Sequence, residues 1–72
     1  MKLPRLSGRK LIKILSKQGF EIMRQKGSHV FLRHSDGRTT VVPNHNEIDK
    51  GTLLEIIRQT GLTRNEFIDL VK

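Results

Sequence analysis

The sequence predicts an α+β domain in the order helix, three strands, helix, short helix, with the helices on one face of an antiparallel sheet. Three observations carry this reading. A serine-capped amphipathic stretch stands first. Three short segments of alternating polarity follow it, separated by Gly27-Ser28 and Asp36-Gly37. Two further apolar stretches, each headed by a capping residue between hydrophobic staple partners, complete the pattern.

Ser7 is placed to cap the first helix, with Leu6 before it and Leu11 four residues after it as a staple. Leu11, Ile12 and Leu15 make the apolar stripe, and Arg9, Lys10, Lys13 and Lys17 occupy the outer face. The helix is expected to end at Gln18, because Gly19 suits the left-handed position that closes a helix. Phe20 to Lys26 and His29 to His34 alternate as strands, joined by a tight Gly27-Ser28 turn. Asp36-Gly37, one of the strongest short hairpin signals, leads to a third strand, Arg38 to Pro43. A polar connection, Asn44 to Ile48, precedes a helix capped by Asp49, stapled by Ile48 and Leu53 and striped by Leu53, Leu54 and Ile57. Gly61 stops it. Thr63 and Glu66 form a capping box between Leu62 and Phe67, which starts a last helix over Arg64 to Val71.

The turn decides which side chains share a sheet face. A strict two-residue Gly27-Ser28 turn places Phe20, Ile22 and Phe31 with His29, whereas a three-residue loop with a bulge pairs Phe20 and Ile22 with Val30 and Leu32. The second arrangement is favoured, because it makes one face clearly more apolar. His29, Phe31 and Arg33 then lie on the opposite face.

Seventy-two residues suffice for one domain, spanning 1–72, since so short a chain cannot build a second core. Hydrophobic residues make up 35% and charged residues 29%, the balance of a globular chain, and cysteine is absent. Stability must therefore come from packing, and a reducing, cytoplasmic location is expected. No apolar run reaches the ~18 residues of a membrane span, and no signal-peptide pattern is seen, so no membrane partner is expected. Of the formal net charge of +7, Met1 to Arg38 hold ten basic and two acidic residues, whereas Thr39 to Lys72 hold four and five. One half is thus cationic, which points to nucleic-acid phosphates, although a solvated face has the same composition.

The residues exclude most enzyme classes. His29, His34 and His45 have no metal-ligand spacing with the scattered acids, and no metal or other cofactor is expected. Paired carboxylates, a nucleophile elbow, a Walker loop and a dinucleotide fingerprint are all missing. Histidine acting on RNA survives, because the strand carries its own nucleophile, the 2′-hydroxyl. An imidazole need only remove that proton while cations stabilise the charge gathering on phosphorus. His29 is the best placed histidine: it follows the turn, with Arg24, Lys26 and Arg33 near enough to hold a phosphate. Spacing alone leaves two readings of His29 open, a polar residue opening a strand and a proton carrier. His34 reads as an exposed or half-buried strand residue, and His45 equally as a loop hydrogen-bonding residue or a substrate contact.

The whole chain resembles the HicA toxins, also called YcfA-like proteins. The likeness runs through Gly19-Phe20, Gly27-Ser28-His29, His34-Ser35-Asp36-Gly37-Arg38, Val42-Pro43-Asn44-His45, Gly51-Thr52-Leu53 with Ile56 and Ile57, and Gly61-Leu62-Thr63 leading to Glu66-Phe67. Each fragment is common alone; their order and spacing over almost the full length are specific. After His45 the chain reads Asn46-Glu47-Ile48-Asp49, where relatives often have a glycine and a lysine.

The resemblance implies a fold like the double-stranded RNA-binding domain, translation-independent cleavage of mRNA, and a HicB-type antitoxin that covers the active site. It also implies that His29, the histidine of Gly-Ser-His, is catalytic. The expected RNA contacts are Arg24, Lys26, Ser28 and Arg33 together with Lys10, Lys13 and Lys17 of the first helix, and the free toxin is expected to be monomeric. The alternative function is a non-catalytic RNA-binding module of the same fold. A winged-helix DNA-binding protein fits less well, because no helix pair with a recognition-helix turn precedes the hairpin.

Overall fold

Capping residues set the helix boundaries. A computed structural model describes Leu3 and residues 5–72, so Lys2, counted above in the cationic half, lies outside the described residues. The elements are α1 (Gly8–Lys17), β1 (Phe20–Lys26), β2 (His29–His34), β3 (Thr39–Pro43), α2 (Lys50–Thr60) and α3 (Arg64–Val71). The Lys10 amide donates to Ser7 Oγ at 3.1 Å, and the Thr52 amide donates to Asp49 Oδ2 at the same distance. The Thr52 hydroxyl, bound to Asp49 Oδ1 at 2.7 Å, and that amide together hold the Asp49 carboxyl below the usual carboxylate range. In α3 the capping box is complete: the Glu66 amide donates to Thr63 Oγ1 at 3.1 Å and the Thr63 amide to Glu66 Oε1 at 2.9 Å. The hydrogen bond from that backbone amide lowers the Glu66 pKa.

The three strands form an antiparallel sheet in the order β1-β2-β3. One of its faces carries Phe20, Val30, Leu32 and Val42, and α1 packs across β1 and β3 while α2 packs on β3. The staple partners Leu6, Leu11, Ile48 and Leu53 are all buried, and Phe67 brings α3 into the same core with no exposure. The buried stripes differ by one position from those the sequence suggests. Ile14 rather than Ile12 joins Leu11 and Leu15, and Ile56 rather than Leu54 joins Leu53 and Ile57. In both helices the positions at i, i+3 and i+4 face the sheet, and Ile12 and Leu54 are left on the flank, half-buried.

The hairpins correct the expected turns but keep the expected faces. Lys26 pairs with His29, so Gly27-Ser28 is a two-residue turn, not the three-residue loop favoured from sequence. Gly27 has φ of 59° and among the described residues no non-glycine residue has positive φ, the signature of a turn with glycine at its first central position. The extra residue sits inside β1 instead: Ile22 faces Leu32 and Arg24 faces Phe31, so the ladder slips at Met23. This bulge restores the alternation, keeping Phe20 with Val30 and Leu32 and turning His29, Phe31 and Arg33 to the other face. Ile22 does not follow Phe20 into the core. It lies beside the bulge on an edge strand and is 55% exposed.

The three-residue loop belongs to the second hairpin. The Gly37 amide donates to the His34 carbonyl at 2.9 Å and the His34 amide to the Arg38 carbonyl at 2.8 Å, which closes the loop over 35–37 and starts β3 at Thr39, not Arg38. Arg38 is released to clamp the fold. Its Nε donates to Asp36 Oδ2 at 2.8 Å, its Nη1 donates to the Thr60 carbonyl at the end of α2, and its guanidinium lies 5.4 Å from the centre of the Phe20 ring. The Arg38 amide, at 3.0 Å from Asp36 Oδ1, is the main cause that holds the Asp36 carboxyl below its ordinary value, and the guanidinium adds to it.

Candidate functional site

Because the helices cover only one face, the opposite face of the sheet is left open, and the β-ladders arrange its side chains in cross-strand rows. At one end, Lys26 of β1, His29 of β2 and Pro43 of β3 face one another. Arg24, Phe31 and Val41 form the next row, and Glu21, Arg33 and Thr39 the last. His29, Lys26, Arg24 and Arg33 are exposed, while Phe31 is half-buried with the Arg24 guanidinium 4.5 Å from its ring centre. The face therefore offers an imidazole, three cations and an aromatic plane within three rows.

The end of the sheet that carries His29 is tied down by backbone hydrogen bonds. Ser28 is half-buried, and its carbonyl accepts from the Asn44 amide at 2.6 Å; the Gln25 side chain donates to the Gly27 carbonyl at 3.0 Å. The His45 carbonyl accepts from the amide of Gly8, the first residue of α1, at 2.8 Å. The turn before His29, the loop after β3 and the start of α1 thus meet.

Gly8 is essential to that meeting, and nothing in the local sequence signals it. A Cβ at this position would overlap the Pro43 carbonyl oxygen and stand 2.8 Å from Asn44 Cα, both backbone atoms that cannot swing away. Gly8→Ala is expected to push α1 off the 43–44 loop and to cost about 1–3 kcal/mol, the usual range for overpacking. The urea midpoint measures this, and an unchanged midpoint would refute the close approach.

The structure separates the cationic residues singled out from sequence. Arg24, Lys26 and Arg33 share the open sheet face with His29, and Ser28 adjoins it in the turn. Lys10, Lys13 and Lys17 are exposed on the side of α1 turned away from the sheet, a second cationic surface. His34 lies on the core side of β2, half-buried, with its ring edge-on to Phe20 at 5.2 Å between centroids. Its Nδ1 accepts from the Asp36 amide at 3.1 Å, a structural role. His45 is exposed. Among the described residues no three His, Cys, Asp or Glu side chains group as a metal site, and no helix is long and apolar enough to cross a membrane.

No curated protein matches the chain. A family model does: residues 8–62, from the glycine that opens α1 to the leucine before α3, match the family described as the HicA toxin of bacterial toxin-antitoxin systems. The matched span includes the whole open sheet face, the Gly27-Ser28-His29 turn and the loop that carries His45. The chain belongs to the HicA toxin family.

Proposed function

We propose that the protein is a metal-independent endoribonuclease that cleaves mRNA, with His29 as general base and a HicB-type antitoxin as its inhibitor. The observation that carries this reading is the row formed by Lys26 and His29 on an open, cationic sheet face. An RNA strand laid there brings a phosphodiester to His29, and Lys26, Arg24 and Arg33 supply the positive charge that holds it. Phe31 and the Arg24 guanidinium provide a platform on which an unpaired base stacks.

His29 removes the proton of the 2′-hydroxyl, O2′ attacks phosphorus in line, and the P–O5′ bond breaks as the departing 5′-oxygen takes up a proton, leaving a 2′,3′-cyclic phosphate and a 5′-hydroxyl. The cations stabilise the additional charge on the phosphoryl oxygens as it develops. Ser28, in the turn, adds a phosphate contact, and the lysines of α1 hold a flanking stretch of the strand electrostatically. The same cationic face suits an acidic antitoxin surface, which would hide His29 and compete with RNA.

Purified protein incubated with mRNA in a chelating buffer and resolved on a gel separates this reading from that of a binding module. Shortened products are expected at undiminished yield in the chelator. A mobility shift without products, or products that vanish on chelation, would reject it.

A further inference from the structure

We propose that His45 is the proton donor to the leaving 5′-oxygen, the acid partner of His29; this rests on the reading of His29 as general base. The placement comes from backbone contacts. Pro43 is the residue that faces His29 across β2 and β3. The His45 amide donates back to the Pro43 carbonyl at 2.9 Å, closing a three-residue turn immediately after that pair. The adjacent Asn44 amide is bound to Ser28, the residue before His29, and the His45 carbonyl is bound to Gly8. Facing Cα atoms lie about 5 Å apart and two further peptide units add at most about 7.6 Å, so the two histidine Cα atoms lie within about 13 Å.

His45 is therefore fixed through its main chain at both its amide and its carbonyl, while its side chain is exposed and outside the core. Glu47 and Asp49, the nearest charged residues in sequence on the same connection, are exposed, as is Lys50 at the start of α2. Asn44 and Asn46 flank His45, so its immediate neighbours in sequence add no charge. An imidazole held in this way at the rim of the site can meet the oxygen that departs on the side of phosphorus opposite the attacking 2′-oxygen.

Chemistry selects His45 over Lys26, the other proton carrier beside His29. An ammonium keeps its proton through the neutral range and supplies charge, whereas imidazole is the side-chain type that both gives and takes a proton there. The step balances. The 2′-hydroxyl proton passes to His29, the O2′–P bond forms, the P–O5′ bond breaks, and the His45 imidazolium gives its proton to O5′. The products are a 2′,3′-cyclic phosphate and a 5′-hydroxyl, and exchange with water returns both imidazoles to their starting states.

An oligonucleotide with sulfur in place of one bridging O5′ tests the assignment, because a thiolate leaves without being protonated. His45→Ala in the full chain is expected to slow cleavage of the all-oxygen linkage by about 10²-fold or more, and to come within a few-fold of the unsubstituted protein on the sulfur linkage. His45→Gln, which keeps a polar side chain but carries no transferable proton, is expected to behave alike. His29→Ala stays impaired on both substrates. An equal deficit of the His45 variants on both linkages, or none on the oxygen linkage, overturns the acid role alone. Full activity of His29→Ala, or no cleavage by the unsubstituted protein on either linkage, overturns the general-base reading beneath it.

Discussion

Replacing His29 by alanine is expected to lower RNA cleavage by about 10²–10⁴-fold, the range that a positioned acid–base group contributes, while leaving the fold and RNA affinity nearly intact. His29 is exposed at the start of β2, and the core lies on the other face of the sheet. Its removal creates no cavity. The cations proposed to bind phosphate, Arg24, Lys26 and Arg33, remain in their rows. Cleavage rate, a binding titration and a thermal melt on one preparation check the three parts. A variant that melts like the unsubstituted protein and still cuts RNA at the full rate would remove His29 from the chemistry.

Phe67→Ala is expected to have the largest effect on stability. Phe67 has no exposed surface and attaches α3 to the core through its side chain. Truncating such a phenylalanine costs about 3–5 kcal/mol. A chain of 72 residues has roughly 4–11 kcal/mol in all, so a substantial share of the folding free energy would go. Urea denaturation followed by circular dichroism measures the loss, and a change below about 1 kcal/mol would show that α3 is not an integral part of the core.

The fold was legible because its signals are local. Caps, staples and glycines act within one turn of chain, and they set α2 at Lys50–Thr60 and α3 at Arg64–Val71, between the caps and stops expected from sequence. Where tertiary contact decides, local signals do not suffice. The need for Phe20 to share a face with Val30 and Leu32 implies one extra residue in the first hairpin, but hydrophobicity does not say where it lies. The chain puts it at Met23 inside β1, not in the turn. Likewise Ile12 and Ile14 have equal hydrophobicity, and only the angle at which α1 meets the sheet turns Ile14 inward.

The candidate site was legible in part, for the same reason. Alternation along β2 placed His29, Phe31 and Arg33 together on the open face, as the register has them. The contacts of Gly8 with residues 43–45 and of Ser28 with Asn44 join segments far apart in the chain. No periodicity reports them. From sequence Arg38 is one charge among ten, a motif residue and the expected start of the third strand, and none of these signals that its guanidinium joins the second hairpin to the end of α2.

The chemistry itself is tested most directly at the ends of the cut RNA. Mass spectrometry of the products formed in a chelating buffer, within the first turnovers, is expected to find a 2′,3′-cyclic phosphate on one fragment and a 5′-hydroxyl on the other. A 3′-hydroxyl paired with a 5′-phosphate would contradict attack by the 2′-oxygen, and with it the role of His29.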